Sequence, residues 1–283
     1  MTPEAELTAA QPELQVKRVS IVIVSFNRIE SLRKSLRALG DTHQVLVVDN
    51  GSTDGAATLD SEFPGARFIR LPKNFGLTKA LNIGIRAAEG TYVLLLHDDT
   101  QITAENVTKL ADYLENHPDA GAVCPLLTSD SGARAAQVRP LPVPSATDPA
   151  PQPASGSGEI AVPCVTGAAI LVRSFFLRAL RQIDERYGNY GSDIELCAQV
   201  KRANRKLIIL EDVPAVHEQL ESPMKKGSLA GDRAVGTAVF LWKHHSFVTS
   251  ILYRLKAGLG GLATFRFGLV AGALGDVKID GTS

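Results

Sequence analysis

Three short polar clusters carry the residue types that do chemistry in this 283-residue sequence, and each closes an apolar run. His97-Asp98-Asp99 ends the run Thr91 to Leu96 (TYVLLL). Adjacent carboxylates beside a buried strand are costly unless a cation or hydrogen bonds compensate them. A divalent ion such as Mg²⁺ is commonly held by one or two carboxylates plus substrate phosphates. The alternative is a solvated loop and helix cap that includes Thr100. Asp49-Asn50-Gly51-Ser52-Thr53 ends the run Gln44 to Val48. A carboxylate there can accept hydrogen bonds from a base or ribose, or it can simply serve a polar turn. Ser25-Phe26-Asn27-Arg28 offers an aromatic face for a base beside a cation for phosphate. His217 follows an apolar strand, and by itself such a histidine is more often a core or surface residue than a ligand.

The elements that must position these groups alternate. Val19 to Ser25, Gln44 to Val48, Ala66 to Leu71 and Thr91 to Leu96 read as strands, the first two as near-continuous β-branched runs. Such runs suit strands covered on both faces. Arg28 to Leu39, Ser52 to Phe63, Thr78 to Ala88, Asn106 to Asn116 and Ser192 to Arg202 read as helices, with Ser52 and Thr53 as caps of the second. Ile160 to Val172 and Leu207 to Leu210 return to strand-like sequence. Strands alternating with helices imply right-handed βαβ units and a mostly parallel sheet. Ligands in such sheets sit beyond the carboxyl ends of the strands, where all three clusters fall. The expected fold class is α/β with a mostly parallel central sheet and a C-terminal helical tail.

The organisation expected is a disordered lead over 1–17, one domain over 18–221, and a basic amphipathic helical tail over 222–283. Residues 129–158, rich in Pro, Ala, Ser and Gly, read as a flexible surface loop. The lead has no apolar core of a signal peptide. Thirty basic against thirty acidic residues argue against bulk nucleic-acid binding. Three dispersed cysteines fit neither a disulfide framework nor a zinc site, and suit a reducing cytoplasm. From Pro223 onward eight Lys/Arg face three Asp. No stretch is long and uncharged enough for a membrane span. Leu252, Leu255, Leu259, Leu262 and Leu269 form a rough helical stripe. Such a stripe can lie in a membrane interface, or pack on the core or a second subunit.

Taken in order, VSIVIVSFNR, VLVVDNGSTDG, NFGLTKALNIGI, TYVLLLHDDT, VTGAAILVRS, IDERYGNYGSDIELC and VPAVH resemble the GT-A fold glycosyltransferases of family 2 over roughly residues 18–217. The likeness is nearest to the rhamnosyl- and galactofuranosyl-transferase-like branch. The resemblance implies a Rossmann-like nucleotide-diphospho-sugar transferase fold. It places Ser25, Phe26, Arg28, Asp49, Asn74, Gly76 and Asp98 at the nucleotide, and Asp99 and His217 at a divalent metal, Mg²⁺ or Mn²⁺. Asp193 takes the place of the catalytic base. Two positions depart from the family pattern: His97 stands at the first position of the DxD motif, and Ser192 at the first carboxylate of the ED pair. Gly188 stands where a Phe is usual.

The activity implied is inverting transfer of a sugar, rhamnose or a related hexose, from a UDP- or dTDP-sugar to a cell-surface glycan or lipid-linked acceptor. The enzyme would be cytoplasmic, or peripheral on the inner face of the plasma membrane, and oligomerisation is open. A sugar-nucleotide-forming nucleotidyltransferase would usually carry a glycine-rich phosphate loop after the first strand, which SFNR lacks. A non-catalytic module on the same fold would bind a nucleotide sugar or a partner without turnover.

Overall fold

The computed structural model describes residues 17–142, 158–220 and 226–275. Most of the expected lead, residues 143–157 of the 129–158 segment and both ends of the tail therefore lie outside the described residues. One nine-stranded sheet organises the chain, in the order β3-β2-β1-β4-β8-β6-β9-β5, with β7 also on β9. The first four strands, β1 (Val19–Ser25), β2 (Gln44–Asp49), β3 (Ala66–Arg70) and β4 (Tyr92–His97), run parallel. The apolar sequences of β1, β2 and β4 are explained by burial on both sides, every residue of β1 being buried, whereas β3 at the sheet edge is only partly covered. One face packs on α1 (Ile29–Leu39) and α4 (Ala104–Asn116), the other on α3 (Leu77–Ala87) and α6 (Ser192–Arg202).

Beyond β4 the sheet becomes mixed. β8 (Ala169–Arg173) is antiparallel to β4 and to β6 (Ala120–Thr128), while β6 and β9 (Lys206–His217) run parallel. β7 (Glu159–Ala161) and the two-residue β5 (Thr100–Gln101) flank β9. The strand expected over Ile160 to Val172 is thus two strands, divided by a segment that includes Gly167. β9 is also far longer than Leu207 to Leu210. A register shift between Pro125 and Leu126 lets the strand pass Pro214 and continue to His217.

The second helix is shorter than expected, a 3₁₀ turn at Ala56–Thr58 running into α2 (Leu59–Glu62). Ser52 and Thr53 do not cap it. Ser52 Oγ accepts from Asn27 N at 3.0 Å, and Thr53 N donates to Asn27 Oδ1 at 2.7 Å, stitching two site loops together. Residues 129–142, expected to be loose, are held down where described. Gln137 is buried and bonds Leu127 N and Pro125 O, and Arg139 N donates to Cys164 O. The 174–179 segment forms a short α5 (Ser174–Ala179), and the C-terminal region folds as α7 (Lys226–His244), α8 (Phe247–Ala263) and α9 (Phe267–Leu274).

Candidate active site

The carboxyl ends of β1, β2, β4 and β9 meet at one edge of the sheet. β1 ends at Ser25 beside Asp49 of β2, and Val24 pairs with His97 of β4. The chain then turns through Asp98-Asp99 into β5, where Thr100 pairs with His217. That two-residue bridge brings His217 to the acidic pair across more than a hundred residues of chain.

Asp99 is nearly sealed from solvent, 3% exposed. Its Oδ2 accepts from Arg28 Nη1 at 3.0 Å and Leu220 N at 3.1 Å. Its Oδ1 lacks an aligned hydrogen-bond donor; the nearest ring atoms are His217 Nε2 at 3.2 Å and His97 Nδ1 at 4.0 Å. One ligand atom from each of His97, Asp99 and His217 lies within 4.8 Å of the others. Burial opposes ionisation of Asp99, but the two imidazoles and Arg28 outweigh it and hold its carboxyl down at about 2. Burial pushes His97 below the usual imidazole value despite Asp99, so its ring is neutral near pH 7 and keeps a lone pair. An orphaned carboxylate oxygen facing two imidazoles is a donor set that fits a divalent cation. His97, which the family motif would have as a carboxylate, completes the set.

Asp98 is tied back by Ser25 Oγ at 2.9 Å and Arg28 Nη1 at 3.4 Å, with its carboxyl raised to about 6 mainly by burial. Ser35 Oγ lies within 2.9 Å of the carbonyls of Asp98 and Thr100, fixing the turn. Arg28 thus bridges both carboxylates and also donates to Leu220 O at 3.0 Å.

A cavity of about 550 Å³ opens over these groups, lined among others by Phe26, Arg28, Asn74, Asp98, Asp99 and His217. Asp49 is buried and accepts from Ser52 N at 2.9 Å, holding the turn that presents Asn50 to the cavity. Asn50 Nδ2 donates to Asn74 Oδ1 at 2.9 Å, which also accepts from Gly76 N at 2.8 Å. Ser25 and Gly76 support the lining without belonging to it. Gly76 has φ +85°, so its backbone conformation favours glycine.

A recess of about 130 Å³ adjoins the cavity through the shared residues His97, Arg139 and Asn189, and Asp193 lines it. Asp193 sits in the first turn of α6, after the left-handed Gly191. Its Oδ1 accepts from Ile194 N at 2.8 Å and its Oδ2 from Gly167 N at 3.1 Å, with Arg139 Nη1 at 3.5 Å. A side chain at Gly167 would meet Asp193 Cβ at 3.1 Å and His97 Nε2 at 3.5 Å. The acid on α6 and the histidine of β4 therefore face each other across a bare glycine.

Sequence reading named Asn50 only as part of a polar cluster and gave no role to Arg139, Thr166 or Asn189. Among the described residues, Asp99 Oδ1, Thr166 Oγ1 and Asn189 Nδ2 are buried polar atoms without hydrogen-bond partners, and all three residues line the cavity. Arg139 was hidden in a segment whose composition suggested only a loop. Asp184 caps the 3₁₀ turn Glu185–Tyr187 by accepting from Arg186 N at 3.1 Å.

Comparison with known proteins places the chain in a family. The family described as Glycosyl transferase family 2 matches residues 20–177. The poly-beta-1,6-N-acetyl-D-glucosamine synthase of Staphylococcus epidermidis is 28% identical over 116 residues, 38% of this chain and 28% of that protein. The undecaprenyl-phosphate 4-deoxy-4-formamido-L-arabinose transferase of Serratia proteamaculans (strain 568) is 31% identical over 116 residues, 37% of this chain and 36% of that protein. The matched segment thus spans about a third of each relative. The solved structure of GalNAc-T7 with UDP, GalNAc and Mn²⁺ superposes with a TM-score of 0.67 at 13% identity, over 91% of this chain and 55% of that one. At that identity the likeness is one of fold.

Proposed function

The chain belongs to glycosyl transferase family 2 and is a glycosyltransferase, and from that premise we propose that it transfers a sugar from a nucleotide diphosphate donor with inversion, using a divalent cation. The observation carrying this reading is the meeting of His97, Asp99 and His217 with Asp193 along one continuous cleft. Phe26, Asn50 and Asn74 form the base end of the donor cavity, with Asp49 beneath them. The rhamnosyl-transferase-like branch, with a UDP- or dTDP-hexose donor, remains the preferred identity of the sugar. The relatives are named for polysaccharide synthesis and undecaprenyl-phosphate transfer, which supports a glycan or lipid-linked acceptor.

Asp99, His217 and His97 would hold the cation, and two imidazoles favour a transition ion such as Mn²⁺ over Mg²⁺, which prefers oxygen. When bound, such an ion acts as a Lewis acid on the leaving diphosphate. The chain's own residues do the rest. Asp193 takes the proton from the acceptor hydroxyl as that oxygen bonds to the anomeric carbon and the bond to the diphosphate oxygen breaks. Its two backbone hydrogen bonds fix the carboxylate while leaving further lone pairs for the acceptor. Asn189 Nδ2 and Thr166 Oγ1, without hydrogen-bond partners among the described residues, orient sugar hydroxyls. Three free, buried cysteines suit a cytoplasmic site of action.

A donor panel tests this. UDP-, dTDP- and GDP-sugars are added with Mn²⁺ and thermal unfolding is followed. A ligand at 100 times its Kd adds about 2.7 kcal/mol of stability. A shift with one nucleotide class that disappears on chelation is expected; no shift with any donor would remove the transferase reading.

A further inference from the structure

The C-terminal helices are built inside out for a protein surrounded by water. Glycines let α9 approach α7 and α8 closely. A side chain at Gly268 would lie 2.2 Å from Gly227 O, one at Gly272 2.2 Å from Gly231 O, and one at Gly261 2.9 Å from Val270 Cγ2. Large apolar side chains beside these contacts are left uncovered. Phe247, Ile251, Leu252, Leu255, Leu259 and Leu262 of α8 are exposed, Leu255 and Leu259 at 58% and 68%. Phe265 and Phe267, at the turn into α9, are exposed as well. A contiguous face of this size marks a contact surface, and small residues within with large apolar residues outside is how helices pack among lipids. Ile251, Leu255, Leu259 and Leu262 of this face line an open apolar groove of about 880 Å³ that α8 forms with α7 and α9.

Charge selects the occupant. From Arg233 to Gly275 there are five Lys/Arg and no Asp or Glu. Helical spacing sets Lys256 at one edge of the α8 stripe and Arg254 at the other, the latter bonded to Ala273 O and Gly275 O. Lys256 and Arg266 are exposed. No helix among the described residues is long and apolar enough to cross a membrane. An apolar face edged by cations lies in the plane of an interface instead. We infer that α8 and α9 dock this protein on the surface of an anionic bilayer, with the leucine and phenylalanine side chains among acyl chains and Lys256 and Arg266 at the headgroups.

The surface is also tied to the cleft. Asp232 of α7 accepts from Asn189 N at 2.7 Å, and Lys243 and His244 reach Glu195 of α6 at 2.8 and 2.7 Å. Docking would thus set the orientation of the Asp193 recess toward the membrane, whatever the acceptor.

Co-sedimentation of the full chain with vesicles of phosphatidylcholine, with and without phosphatidylglycerol, tests the inference. Binding to the anionic vesicles is expected, weakened by salt. Each basic residue near an anionic leaflet is worth about fivefold in binding, so Lys256→Ser with Arg266→Ser should weaken it by roughly 30-fold. Leu252→Glu with Leu255→Glu and Leu259→Glu, all at exposed positions, should abolish it with the thermal midpoint unchanged. No binding by the folded wild-type chain would overturn the proposal. So would equal binding to neutral vesicles, or a self-association in sedimentation velocity that the leucine variant dissolves, which would assign the face to a second copy.

Discussion

Replacing Asp193 by asparagine changes one atom of the carboxylate and separates proton transfer from everything else the residue does. Both carboxylate oxygens now accept backbone hydrogen bonds, from Ile194 and from Gly167. Asparagine retains a single acceptor, so its amide nitrogen must oppose one of those N–H groups. Losing a hydrogen bond to a charged acceptor costs about 1.5–3 kcal/mol, which for a chain of this size lowers Tm by roughly 3–10 °C. The variant therefore stays folded at assay temperature. A positioned general base contributes about 10²–10⁴-fold, or about 3–5 kcal/mol of barrier. The donor cavity is lined by residues other than Asp193, so donor affinity should hold. The assay is nucleotide release from the sugar nucleotide that most stabilises the protein, with donor Kd measured separately. The reasoning predicts kcat lower by two to four orders of magnitude with Kd unchanged. A loss below about tenfold, or an equal loss of donor affinity, would refute the base assignment.

Three further outcomes follow from the same geometry. His217→Ala and His97→Ala should each weaken Mn²⁺ binding, followed by electron paramagnetic resonance, by more than the 10–100-fold typical of losing an outer partner; unchanged affinity would remove that histidine from the set. Glu195 is opposed by burial, yet His244, Gln199, Lys243 and Tyr187 hold its carboxyl far below the usual value. Its contribution to stability is therefore complete above the unfolded value near 4.5 and is lost as pH falls toward the depressed folded value. Glu195→Gln should cost about 3 kcal/mol at pH 7, the low end for breaking a buried pair because Lys243 is partly exposed, and should flatten the acid limb of a urea-midpoint profile. Gly51→Ala should destabilise by about 2–5 kcal/mol in urea titrations. Gly51 has φ +83°, and a Cβ would sit 2.6 Å from the Lys73 backbone; the left-handed conformation costs about 1–2 kcal/mol and overpacking about 1–3.

What the sequence revealed depended on how local the cause was. β1, β2 and β4 are legible because a parallel strand buried on both faces must be apolar throughout. Ser192–Arg202 has its helical extent written in its own spacing. β6 escaped notice because Gly121, Cys124 and Pro125 break its apolar run. β9 was cut short at Glu211-Asp212, since polar residues before Pro214 imitate a turn and only the opposing shift in β6 makes room for them. That missed extension is what delivers His217 to Asp99, so motif likeness alone connected the two. His97 was noticed as a departure, yet its part in the donor set depends on ring positions that spacing does not encode. Arg139 and Asn189 reach the cleft through long-range contacts, and neither stood out beside its sequence neighbours. The leucine stripe of α8 was visible, but its exposure depends on how α8 packs beside α7 and α9.

A crystal structure of the protein grown with UDP and Mn²⁺, with data collected at the manganese edge, tests the central claim most directly. The account predicts one anomalous peak bound by Asp99, His217 and His97, with the diphosphate on its open side and the Asp193 recess adjoining it. A peak elsewhere on the molecule, or a uridine lying outside the Phe26 cavity, would contradict it.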